Sequence, residues 1–180
     1  IIYRNRPTCN IRNDLFSGAT MTTVTDGTTP RPVRYIPDNF DPNTAAPICT
    51  VPDAAGTGQP IVLGIGATYL SSCPAMTPPA DIGVFEGPTQ AYGFITHKDS
   101  NQVAITGEEG YLAYGFTEGL GEANPWIVQA LRFKRGNTAS TTLTMSSAIG
   151  LKPTDMKAAP DSGTSDDLIT SVKNSANPQA

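Results

Sequence analysis

Proline sets the first limit on what this chain can become. Pro30, Pro32, Pro37, Pro42, Pro47 and Pro52 fall within one short stretch. Each lacks a backbone N–H and clashes with a preceding helical turn, so helix is closed to most of residues 1–60. The same residues cannot donate into a central ladder, which leaves edge or interrupted strands joined by long loops. Ile1-Ile2-Tyr3 opens the chain as a short strand-like run, read as the middle of a strand after processing or within a longer protein. Asp38 and Asp41 lack the spacing and the glycine of a calcium loop and are read as turn residues.

The chain has 17 glycines and 16 prolines in 180 residues, above the average but below the level of a disordered chain. A loop-rich globular protein is expected, with core enough for one domain or two small lobes. A net charge of −4 with only 16% charged residues argues against a nucleic-acid-binding surface. It does not exclude a small anion, which backbone N–H groups and hydroxyls bind through local dipoles. No apolar run reaches the roughly 18 residues that a membrane span needs. Cys9, Cys49 and Cys73 lack the close pairing of a zinc site. They allow one disulfide in any of three pairings, or a set of buried free thiols.

Pro60–Gly66 (PIVLGIG) reads as a buried strand and Ala91–Thr96 as a second apolar run. Gly87-Pro88-Thr89-Gln90 between them redirects the chain, as a crossing between lobes requires. His97 is the only histidine and has no neighbour suited to nucleophile or metal chemistry, so it reads as a surface residue. From Ile105 the pattern changes. Thr106 and Glu109 fit a capping box that starts a helix running to about Gly115, which accounts for the adjacent carboxylates Glu108 and Glu109 without catalysis. After a Gly119–Pro125 loop, Trp126 packs and Ile127–Phe133 reads as a strand. Met156–Ala159 is a further short strand, and Thr164–Asp167 caps a last helix with Leu168, Ile169 and Val172 on one face. Helix, strand, helix, strand, helix over 105–180 is the order of an α/β layer.

Ile127–Leu151 carries the clearest chemistry. Gly136-Asn137 marks a turn, and Thr138–Thr142 places small hydroxyl residues where a helix begins. Unpaired N–H groups and the positive dipole end favour an anion there, with Thr138, Ser140 and Thr141 adding donors and Arg135 adding charge. The plainer reading has Thr138 or Ser140 capping the helix and Arg135 as a solvated surface charge.

The segments Ile105–Phe116 (ITGEEGYLAYGF), Pro125-Trp126, Arg135–Leu151 (RGNTASTTLTMSSAIGL) and Ser171–Ala180 (SVKNSANPQA) resemble, in order, the second lobe of phosphate-type periplasmic substrate-binding proteins of ABC transporters. Gly64-Ile65, Ser71-Ser72-Cys73-Pro74, Gly87–Gln90 and the run from Ile2-Tyr3 to Cys9 are similar to parts of that family's first lobe. The resemblance implies a two-lobed periplasmic-binding-protein-like α/β fold with a partial, loop-rich first lobe over 1–92 and a second lobe over 93–180. It implies closure, with a hinge near Gln90–Phe94, on phosphate or a similar oxyanion. The family's arginine and Thr-Ser-Gly-Thr-like segment map onto Arg135, Thr138, Ala139, Ser140 and Thr141, with Ala139 lacking one hydroxyl and Ser140 standing for the glycine. Gly66-Ala67 replaces the family's Ser-Asp pair, and the family's first strand-helix and closing strand have no counterpart in 1–180.

These readings lead to a periplasmic or extracellular solute-binding protein that presents its oxyanion to an ABC permease, with no cofactor, no metal and no catalytic residue. The alternative is a structural or adhesive assembly subunit on a binding-protein scaffold that has lost its ligand, self-associating through open sheet edges. An enzyme is disfavoured, because nothing supplies a nucleophile with its base, a metal cluster or a nucleotide loop.

Overall fold

A computed structural model describes residues 1–26, 29–51, 58–159 and 161–175. Among them the architecture is mixed α/β, with four α-helices and three two-stranded antiparallel sheets. The chain divides into two compact units, Ile1–Glu86 and Gly87–Ala180. The division lies at Glu86/Gly87, where the sequence reading placed it after residue 92. Pro52 and the final residues 176–180 of the family-like SVKNSANPQA segment lie outside the described residues.

In the first unit, β1 (Ile2–Arg4) pairs with β5 (Val33–Tyr35), with Tyr3 opposite Arg34. A bridge from Arg34 to Ile48 extends this pair. β3 (Val24–Asp26) and β4 (Thr29–Arg31) form a second pair, and β2 (Thr20–Met21) meets β6 (Gln59–Pro60) in a third. Pro30 and Pro60 sit in strands with a single partner, where a missing N–H is tolerated. Asp38 lies in a turn, and Asp41 Oδ1 accepts from the Asn43 backbone N–H at 2.9 Å, so both aspartates serve turns.

The sequence reading misses α1 (Thr8–Phe16). Asn10, Asn13 and Asp14 are weak helix formers, and no side chain caps the helix. Tertiary contacts hold it instead. Cys9 is bonded to Cys73, Arg12 donates to the Pro74 carbonyl at 2.6 Å, and Asp14 accepts from Arg4 at 2.7 Å and Arg6 at 2.9 Å. Arg6 also meets Asp26 at 2.7 Å, and Arg31 lies 3.4 Å from the same carboxylate. Burial alone would raise the Asp26 pKa, but Arg6, Asn10 and Arg31 outweigh it and hold the carboxyl below its usual value. Cys49 is a free thiol.

The buried strand expected over Pro60–Gly66 is corrected. Only Pro60 is paired, and Val62, Leu63 and Ile65 are 86%, 72% and 79% exposed. The segment leans on α1 through its glycines: a Cβ on Gly64 would lie 2.8 Å from Ile11 Cγ2, and one on Gly66 2.7 Å from Thr8 Cγ2. Contact through glycine turns the large side chains outward.

In the second unit, α2 (Gly107–Gly115) and α4 (Ser165–Asn174) begin with capping boxes, Thr106 with Glu109 and Thr164 with Asp167. α3 (Ser140–Ala148) lies between them in sequence. Ala113, Leu143, Ile149, Met156 and Val172 are buried in this unit. Gly110 lets α2 approach closely, since a Cβ there would lie 2.9 Å from Ile149 Cγ2. No helix of the described residues is long and apolar enough to cross a membrane.

The strands expected at Ile127–Phe133 and Met156–Ala159 are corrected, and Ala91–Thr96 is likewise unpaired. Gln129–Leu131 forms a single 3-10 turn. Beyond it, the Arg132 carbonyl accepts from the Ala159 N–H at 2.8 Å and the Lys134 carbonyl from the Ser162 N–H at 3.3 Å, and among the described residues these do not make a ladder. The segment is held to α2 by the Arg132 side chain, whose guanidinium donates to the Ala113, Phe116 and Ile127 carbonyls. His97 is also corrected: its side chain is only 11% exposed, and Nδ1 accepts from the Asp99 N–H at 3.2 Å.

Candidate functional site

The site is built where the chain turns into α3. The Ala139 N–H closes the Gly136-Asn137 turn on the Gly136 carbonyl at 2.9 Å, and Lys134 Nζ donates to Asn137 Oδ1 at 2.6 Å. Thr142 Oγ1 donates back to the Arg135 carbonyl at 2.7 Å, which ties the first helical turn to the incoming strand-like segment. Ala139, extended and buried, is the N-cap, and no side chain caps the helix. The reading of Thr138 or Ser140 as a cap is therefore corrected. An alanine N-cap has no side-chain oxygen to offer, so the first-turn N–H groups of Ser140, Thr141 and Thr142 lack both an intrahelical acceptor and a capping side chain.

Two further groups stand at this helix start. Thr141 Oγ1 is buried and has no hydrogen-bond partner among the described residues. The Arg135 guanidinium donates to the Gly163 carbonyl through Nε at 3.1 Å and Nη2 at 2.8 Å, and to Ser165 Oγ through Nη1 at 3.2 Å. Arg135 is thus half-buried and anchored to the start of α4, which corrects the reading of a solvated surface charge.

Arg135 and Thr141 line one cavity of about 490 Å³, and Thr138, Ala139 and Ser140 do not. The geometry therefore joins two of the five family-mapped residues, Arg135 and Thr141, to open space. Arg132, Lys134 and Thr142 also line the cavity, and the sequence reading did not single them out. The RFKR run shows that Arg132 and Lys134 are cations without showing where they turn, and Arg132 was read as part of a strand ending at Phe133.

Electrostatics favour negative charge here. Arg132, Lys134 and Arg135 line the cavity and no aspartate or glutamate among the described residues does. Burial pushes the Lys134 pKa below its usual value, opposed by Asp161, and burial likewise lowers that of Arg132. The Asp161 carboxylate lies behind Gly136, where a Cβ would come within 2.6 Å of it. Tyr114, whose hydroxyl donates to the Phe133 carbonyl at 3.1 Å, is pushed up to about 12 by burial and stays neutral. Among the described residues no group of three or more His, Cys, Asp or Glu side chains is placed to hold a metal ion.

Comparison with protein families, with curated proteins and with solved structures finds no match to this chain.

Proposed function

We propose that the chain is an extracytoplasmic solute-binding protein of the two-lobed, phosphate-type kind, whose second unit holds an oxyanion at the start of α3. One observation carries the reading: an uncapped helix start and a buried, unpartnered Thr141 hydroxyl lie beside Arg135. Backbone N–H groups and a hydroxyl donor favour an acceptor with several oxygens, and the helix dipole with Arg135 favours negative charge. The site binds and does no chemistry. A permease of the ABC type is the partner this role calls for, in the periplasm or outside the cell.

Calorimetry with phosphate and sulfate tests it. Binding is expected to weaken about tenfold or more in Thr141→Val, which removes a hydrogen bond to a charged acceptor. Arg135→Lys is expected to bind more weakly than the native chain, because a point charge cannot hold Gly163 and Ser165 as the planar guanidinium does. No heat with either anion from a folded protein would overturn the proposal.

A second reading, a structural assembly subunit, draws on Val62, Leu63 and Ile65, an exposed apolar run beside a two-stranded edge. It predicts concentration-dependent self-association by sedimentation. A monomer at all concentrations would end it.

A further inference from the structure

The cavity that holds Arg135 and Thr141 is larger and more apolar than a bare oxyanion needs. Its about 490 Å³ falls within the roughly 300–1,000 Å³ of pockets for drug-sized ligands. Its walls include Phe94, Ile105, Trp126, Phe133 and Leu168, all within the second unit. Apolar walls give an inorganic anion nothing and oppose its desolvation, whereas they favour a carbon body by about 25 cal/mol per Å² of apolar surface removed from water.

The two kinds of wall adjoin. Met145 lies one helical turn after Thr141 on α3, and Ile169 lies one turn after Ser165, the residue that receives Arg135, on α4. Residues four apart share a helix face, so each polar contact at the cradle has an apolar neighbour beside it. All four of these residues line the cavity. The charge of the lining is also one-sided: Arg132, Lys134 and Arg135 line the cavity and no aspartate or glutamate among the described residues does, while Glu118 and Asp161 act on Arg132 and Lys134 from outside it.

We infer that the ligand is an organic oxyanion, a phosphate monoester or carboxylate carrying a small apolar group, with its anionic end at Thr141 and Arg135 and its apolar body against Met145 and Ile169. This rests on the oxyanion-binding role proposed above and narrows its ligand. A neutral apolar molecule would leave the cationic wall unmatched, and a bare anion would leave the apolar wall unmatched.

Trp126 is the only tryptophan of the chain and lines the cavity, so its emission reports on occupancy. The full chain is titrated with phenyl phosphate, inorganic phosphate and benzyl alcohol, followed by calorimetry and Trp126 fluorescence. Phenyl phosphate is expected to bind about tenfold or more tightly than phosphate, with a shift in emission, and benzyl alcohol more weakly than phenyl phosphate. Ile169→Ala and Met145→Ala are expected to weaken phenyl phosphate at least about threefold and leave phosphate unchanged. Ile169 is 51% exposed, so its truncation leaves the fold intact. Equal affinity for phenyl phosphate and phosphate would overturn this inference and leave the oxyanion role standing. Benzyl alcohol binding as tightly as phenyl phosphate would remove the anion from it. Loss of all anion binding in the native chain would end the oxyanion role and this inference together.

Discussion

Arg132 ties its own segment to α2 through a single side chain. Its guanidinium closes three backbone carbonyls, two of them at or just beyond the end of α2, where the helix dipole welcomes a cation. Methionine has similar bulk and no donors, so Arg132→Met leaves those carbonyls without partners. A loss of about 2–4 kcal/mol is expected in urea unfolding, and a loss below the error of extrapolation would show that water replaces the guanidinium at no cost. Asp26 gives the matching test in the first unit. Its folded pKa lies below that of the unfolded chain, so its stabilisation is full above the unfolded carboxylate value of about 3.9 and is lost as pH falls through the folded value. Asp26→Asn is expected to lower stability at neutral pH and to flatten its decline in acid, read from unfolding midpoints between pH 7 and pH 2. At this scale the sequence shows residue types and hides directions. Arg135 and Thr141 could be singled out because their order at a helix start has a chemical meaning, whereas nothing in RFKR tells which cation turns into the core.

Helices with their own start signals were legible. Thr106 with Glu109 and Thr164 with Asp167 form local pairs that need no distant partner, and both appear as read. Thr106→Ala is expected to cost about 1 kcal/mol in thermal or urea unfolding. Strands were less legible, because pairing depends on what lies beside them. PIVLGIG has the composition of a buried strand, yet it meets α1 through Gly64 and Gly66 and keeps its branched side chains outside. The converse held for α1, whose helix depends on Cys73 and Pro74, far away in sequence. Gly110 shows how an element's preference and its packing compete. Alanine would gain about 1 kcal/mol in helix propensity, but its Cβ would sit 2.9 Å from Cγ2 of the buried Ile149, a branched side chain with little room to yield. Overpacking of this kind typically costs about 1–3 kcal/mol, so Gly110→Ala is expected to be neutral to destabilising. A clear stabilisation in urea unfolding would show that α2 can move away from Ile149.

For the molecule as a whole, the first unit depends on covalent closure more than the second. Its sheets are two-stranded, and pairs of that size are marginal without a packed face or a cross-link. The Cys9–Cys73 bond spans a sequence separation of 64, and closing such a loop removes unfolded-state entropy worth about 4 kcal/mol by the chain-entropy relation. Spacing alone left three pairings open, because only the fold decides which sulfurs meet. With Cys49 free, one thiol should react with a disulfide reagent in the denatured, unreduced chain and three after reduction. The double variant Cys9→Ser, Cys73→Ser is expected to lose up to about 4 kcal/mol, and hydrogen exchange should locate the loss in the amides of β1, β5 and α1. A bond formed by Cys49 instead would show up as a different mass-mapped cross-link in the native chain. Unchanged protection in β1, β5 and α1 would mean that the Arg4–Asp14–Arg6–Asp26 ion network, and not the disulfide, holds the unit. The two sources of stability then separate by pH, since the ion network weakens once Asp26 is protonated while the disulfide does not.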